Sequence, residues 1–124
     1  MTPADWADQA AEAIRRLNHA TLSSEDGYVH PSDVDATLAN LQVLVQRLPQ
    51  ALVQMRVWLK AQAQAGRVGH DAIPMTFGRE AAAVHAMASV MEAADELATA
   101  AAWLSSVNLP LTQARKETSH LTGF

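Results

Sequence analysis

The chain has no cysteine at all. Disulfides, thiolate catalysis and cysteine-rich zinc sites are therefore excluded. Only two isoleucines occur, and glycine and proline number five each. The near absence of isoleucine and the scarcity of turn formers argue against a sheet. Aromatic residues make up 5% of the chain and charged ones 18%. The longest uncharged run, Leu97 to Ala114, contains Ser105, Ser106, Asn108, Pro110 and Gln113. It is too polar to span a bilayer. Met1 to Trp6 lack the apolar core of a cleavable signal, so a cytoplasmic location is expected. A net charge of −4 leaves no basic stripe for nucleic acid.

What is present is alanine, about a fifth of the residues, within a composition that is 49% hydrophobic. This favours close-packed helices and rules out intrinsic disorder. At 124 residues the chain is expected to form one domain, 1–124. The organising stretch runs from Ser32 to Ala65. Val34, Leu38, Leu41, Val45, Leu48, Leu52, Met55 and Leu59 step alternately by four and three, the rhythm of a helix that packs on other helices. Thr37, Leu44, Ala51 and Trp58 flank that stripe. Pro49 lies in the middle, yet the phase continues through it. One long helix, kinked there, is expected rather than two.

Before it, Thr2-Pro3-Ala4-Asp5 reads as a helix start with a capping-box acid. Trp6, Ala10, Ala13, Leu17 and Ala20 then form the apolar face of a shorter helix, about 3–21, with Ile14 beside it. Ser23-Ser24-Glu25-Asp26-Gly27 is turn chemistry, and Ser32 is the expected cap of the long helix. Gly66 marks its end, and Gly69, Asp71 and Pro74 keep the chain irregular to about Phe77. From Gly78 a third helix shows Phe77, Val84, Met87, Met91, Ala94, Ala98 and Ala101 on one face, with Val90, Leu97 and Leu104 alongside. It is expected to continue, kinked near Pro110, to about Leu121. The predicted fold is all-α, an up-down-up bundle in which helices 32–65 and 78–121 form an antiparallel hairpin.

Candidates for chemistry are few. His19, His30, His70, His85 and His120 show no metal-ligand spacing, so no metal or other cofactor is expected. His85, Ser89, Glu92 and Glu96 share one helical face, which could in principle do acid–base work as a small enzyme or ligand-binding bundle. The bland reading carries more weight: Arg47 on the basic second helix is expected to pair across the hairpin with Glu92 and Glu96, setting register. Trp58, Trp6 and Trp103 are assigned to the core. Met55, Met75, Met87 and Met91 read as gap-fillers.

Two features exceed ordinary packing. Val43, Val53 and Val57 lie off the main stripe of the second helix, and Leu97 to Ala114 carry no charge on any side. A helix apolar all round is normally buried all round, and three helices cannot hide so much surface. Val43, Val53, Val57, Trp103, Val107 and Leu111 are therefore expected to form an interface. Its partner is a second copy in a homodimer or another helical protein, with no nucleic acid or membrane involved. The chain is read as a non-enzymatic protein–protein interaction bundle.

His30-Pro31-Ser32-Asp33-Val34, Leu38 to Leu41, Arg47-Leu48-Pro49-Gln50-Ala51-Leu52, Trp58-Leu59 and the closing alanine-rich helix carry a resemblance. Over about residues 30–121 the chain resembles small uncharacterised actinobacterial helical proteins often found near mobile or phage-like genes. That resemblance implies a helical fold and no particular activity or site. A looser likeness is to helical-hairpin partners of type VII secretion, which implies a secreted or transfer-apparatus alternative. Their Trp-x-Gly turn is missing between Gly66 and Gly78, and Tyr28 is followed by Ser32 where their export signal has an acid.

Overall fold

The computed structural model describes residues 1–23 and 27–124, with the side chain of Met75 outside the description. The turn expected over Ser24, Glu25 and Asp26 thus lies outside the described residues, as does the packing role given to Met75. Four α-helices follow in order: α1 (Pro3–Ala20), α2 (Pro31–Gln64), α3 (Arg79–Ser106) and α4 (Asn108–Thr118). A short 3-10 turn, Met75–Phe77, precedes α3. The all-helical bundle and the hairpin-like pairing of its second half agree with the sequence reading.

Local chemistry explains the boundaries. Thr2 and Asp5 form a reciprocal capping box at the start of α1: the Asp5 amide donates to Thr2 Oγ1 (3.2 Å) and the Thr2 amide to Asp5 Oδ2 (2.7 Å). At α2 the expected cap is corrected. The helix begins one residue earlier, at Pro31, and Asp33 rather than Ser32 closes it. Asp33 Oδ2 accepts the amides of Val29 (2.9 Å) and His30 (2.8 Å). Proline suits a first helical position, where an amide has no intrahelical partner. The other end of α2 is a Schellman turn: the Gly66 amide reaches Ala63 O (3.0 Å), the Arg67 amide reaches Gln62 O (3.0 Å), and Gly66 adopts φ +70°.

The two prolines behave differently. α2 runs without interruption through Pro49. The C-terminal rod divides at Val107, three residues before Pro110. Pro110 cannot donate to Ser106 O, and its ring crowds that carbonyl. The chain relaxes upstream, where the Val107 amide takes a tighter bond to Leu104 O (3.2 Å), and Pro110 becomes part of the first turn of α4.

The chain forms two compact units. One joins Met1–Ala39 to Gln113–Phe124, and within it Thr118 Oγ1 donates to Asp35 Oδ1 (2.6 Å). No α1 residue is buried; Ile14 and Leu17 are half-buried, while Trp6, assigned to packing by the sequence, is exposed. The other unit is the continuous segment Asn40–Thr112. There Gln42 Nε2 donates to Thr112 Oγ1 (2.8 Å), tying α2 to α4.

The buried line is not the expected one. On α2, Leu38, Val45, Leu52 and Leu59 are sheltered as predicted. Leu41 is half-buried as well, but Val34, Leu48 and Met55 are exposed, and Asp35, Gln42, Pro49, Arg56 and Ala63 are sheltered instead. Gln42 is only 6% exposed, whereas Met55 is 50% exposed. On α3 the line comprises Ala82, Ala86, Val90, Ala94 and Ala101, with Leu97 and Leu104 half-buried. Val84, Met91 and Ala98, placed on its inner face by the sequence, are exposed. Among the described residues, six small ones make up the buried hydrophobic core and no large side chain is fully buried. An alanine line allows close helix approach, but it hides little area per residue.

Candidate functional site: the two faces of the α2–α3 unit

The Gln42–Thr112 bond sets a local register within the Asn40–Thr112 unit. Five residues on from Gln42 is Arg47; five back from Thr112 is Val107. Arg47 is thus level with Val107 and not with Glu96, which lies about 16 Å further along at 1.5 Å per residue. Accordingly Arg47, Glu92 and Glu96 are not brought together. All three are exposed, and among the described residues the ion pairs are local: Glu12 with Arg15 and Arg16, and the His70–Asp71 contact. The cause is the connection from Gly66 to Gly78, which covers the first turns of α3 instead of simply reversing the chain. Within it the His70 ring meets the His85 ring edge-on, with centroids 4.5 Å apart.

The acid–base face does not converge on a cleft. A shallow cavity of about 460 Å³ is lined by Ile73, Glu80, Ala81, Val84 and His85, and includes neither Glu92 nor Glu96. His70 Nδ1 accepts the Ala72 amide (3.0 Å) and lies 3.3 Å from the Asp71 carboxylate. Among the described residues no group of three or more His, Cys, Asp or Glu side chains could hold a metal ion. No described helix is long and apolar enough to cross a membrane.

The shifted carboxylates are structural ones. Two backbone amides, that of His30 and then that of Val29, hold the Asp33 carboxyl below its ordinary range. The Thr2 amide and hydroxyl do the same for Asp5. Both serve helix ends and neither faces a cavity described above.

What remains is apolar surface. Two antiparallel helices joined along their buried lines are related by a local two-fold axis. Residues that immediately precede a buried position therefore fall on one side of the pair, and residues that follow one fall on the other. Leu48, Ala51, Met55 and Trp58 precede Pro49, Leu52, Arg56 and Leu59; Trp103 and Val107 precede Leu104 and Asn108. These six share a side, and Trp58 and Trp103 are 60% and 72% exposed. Val43, Val53 and Val57 follow Gln42, Leu52 and Arg56, and lie on the opposite side. All three are exposed. Leu111 is half-buried on the inner line of α4.

The interface expected from sequence is thus split between two faces. Trp58, assigned to the core, is a surface residue. Leu48, Ala51 and Met55 were missed as surface, although their signal was visible. Val34, Thr37, Leu41, Leu44, Leu48, Ala51, Met55 and Trp58 step by three and four as regularly as the stripe chosen for the core. Spacing alone does not say which of two overlapping lines a neighbour covers.

No family model, curated protein or solved structure matches the chain.

Proposed function

We propose that this chain is a non-enzymatic helical protein–protein interaction module that self-associates, as a homodimer in the cytoplasm. One observation carries the reading. Trp58, Trp103, Met55 and Val57 stand at the surface of the Asn40–Thr112 unit, 60%, 72%, 50% and 59% exposed. Exposed apolar area on this scale marks contact surfaces.

Static light scattering over a concentration series tests the reading. The expected mass is twice that of the chain, and at least one of Val57→Asp and Met55→Asp is expected to lower it. A wild-type mass equal to a single chain at every concentration removes the proposal.

A further inference from the structure

We propose that the cavity between the turn at 66–69 and the start of α3 binds the dianionic phosphate group of a small ligand, held by Arg67 and Arg79. The cavity lies within the Asn40–Thr112 unit and measures about 190 Å³. Gly66, Arg67, Val68, Gly69, Arg79 and Ala82 line it. Two residues of permanent positive charge thus border one small space from separate elements, in a chain whose net charge is −4.

The fold does not answer those charges. Neither Arg67 nor Arg79 has an ion pair or a side-chain hydrogen bond among the described residues. The acids nearest to them in sequence lie elsewhere. Asp71 is fully exposed beside His70, and Glu80 lines the separate cavity with Ile73 and His85. No acid lines this one. Two cations side by side repel each other, and an anion between them turns that repulsion into attraction. The amides of Val68 and Gly69 likewise have no hydrogen-bond acceptor among the described residues. Arg79 is also the first residue of α3, whose cap Gly78 makes no side-chain hydrogen bond, so the positive end of that helix adds to the same field.

Gly69 keeps the space open. Gly66 adopts φ +70°, which the turn requires, whereas Gly69 has no positive φ and its backbone does not call for glycine. A Cβ at Gly69 would stand 4.0 Å from the Cβ of Ala82, which is 3% exposed. A side chain there would occupy the cavity.

Size and charge select the ligand. The volume is below the roughly 300–1,000 Å³ of sites for drug-sized molecules, so one small group enters and the rest of any larger ligand stays outside. One guanidinium fork already engages both oxygens of a carboxylate. Two forks suit an anion with more oxygens and more charge, and a phosphate group brings three acceptor oxygens and a charge near −2.

Nuclear magnetic resonance of the whole chain tests the site, in titrations at constant ionic strength with inorganic phosphate, methyl phosphate, acetate and chloride. Phosphate is expected to give saturable shifts at Val68, Gly69 and Arg79, with acetate and chloride at least about tenfold weaker. Methyl phosphate binding as well as phosphate assigns the site to a monoester; phosphate binding alone assigns it to the free ion. Arg67→Gln and Arg79→Gln are each expected to weaken phosphate at least about tenfold, the size of one charge-assisted hydrogen bond. Arg47→Gln removes the same charge from an exposed position on α2 and is expected to change binding less than about twofold. Gly69→Leu keeps every charge and is expected to abolish binding by filling the cavity. Circular dichroism checks its helicity, and the two arginine variants decide the matter if that variant misfolds. Absence of saturable shifts with phosphate overturns the proposal. So does acetate binding as tightly as phosphate, or Arg47→Gln weakening it as much as the other two. None of these outcomes depends on whether the chain self-associates.

Discussion

Gln42 lies one residue past Leu41, off the stripe that the sequence turned inward, yet it is 6% exposed and bonded to Thr112. A buried amide earns little net stability once its lost hydration is counted, but its geometry admits few alternatives. Together with Asp35–Thr118 in the other unit it selects which residues of α2 turn inward. Gln42→Leu should therefore leave thermal stability unchanged or slightly raised, since Thr112 is exposed and can turn to water. Gln42→Ala should lower stability by about 1–2 kcal/mol, from a lost bond and lost packing. Urea unfolding of the two variants distinguishes the cases, and equal losses in both would contradict this account.

Residue-scale electrostatics also set a pH dependence. Asp5 and Asp33 are both held below the ordinary carboxylate range by the groups they cap. Their charged forms are favoured in the folded chain, so their contribution is fully present above the unfolded pKa. It is lost as pH falls through the lowered folded values. Ends of α1 and α2 should fray in acid, read as a decline in far-ultraviolet ellipticity below the ordinary carboxylate range. Asp33→Asn, which removes the titration at α2, should flatten its share of that decline.

At the scale of elements, the two leucine–proline steps look alike in sequence and differ in structure. Pro49 interrupts the amide ladder inside an unbroken helix, where proline costs roughly 3 kcal/mol. Pro110 occupies the first turn of α4, where no intrahelical partner is missed. Pro49→Ala is expected to raise stability by about 1–3 kcal/mol, as an interior amide regains its carbonyl. Pro110→Ala should change it by less than about 0.5 kcal/mol, the usual range for a site outside these mechanisms. Chemical denaturation of both checks the contrast; a destabilised Pro49→Ala would mean that the ring itself shapes the inner line. The turn after α2 is equally specific. Gly66 at φ +70° has open space around it, so Gly66→Ala meets no neighbour and costs only the backbone strain, about 1 kcal/mol.

The element boundaries were largely legible because they depend on local chemistry. Thr2 with Asp5, Gly66 and the approach to α3 at Gly78 each act within a turn or two of the chain. The rod's break at Val107 was not legible. Asn108 and Pro110 signalled a disturbance there, but where it is absorbed depends on how the neighbouring carbonyls are satisfied.

For the whole molecule the decisive quantity is area. A buried hydrophobic core made of Ala63, Ala82, Ala86, Val90, Ala94 and Ala101 removes little apolar surface from water. At about 25 cal/mol per Å², such a core supplies far less than one built of leucine and phenylalanine. Under the proposed self-association, stability is expected to rise with protein concentration, because a second copy would hide what the fold leaves out. Thermal unfolding followed across a hundredfold concentration range should show an increasing midpoint. A midpoint independent of concentration would argue for a chain stable without its copy.

Sequence alone determined the helices and most of their ends, since apolar spacing, caps and glycines act locally. It also determined that the chain carries more apolar residues than its helices can shelter. Only the tertiary structure decided which of two overlapping lines on α2 turns inward. Leu41, Leu48 and Met55 satisfy the three–four rhythm as well as Gln42, Pro49 and Arg56 satisfy the observed geometry. The long-range bond from Gln42 to Thr112 and the close approach permitted by alanines on α3 break that tie, and neither can be read from one helix's periodicity.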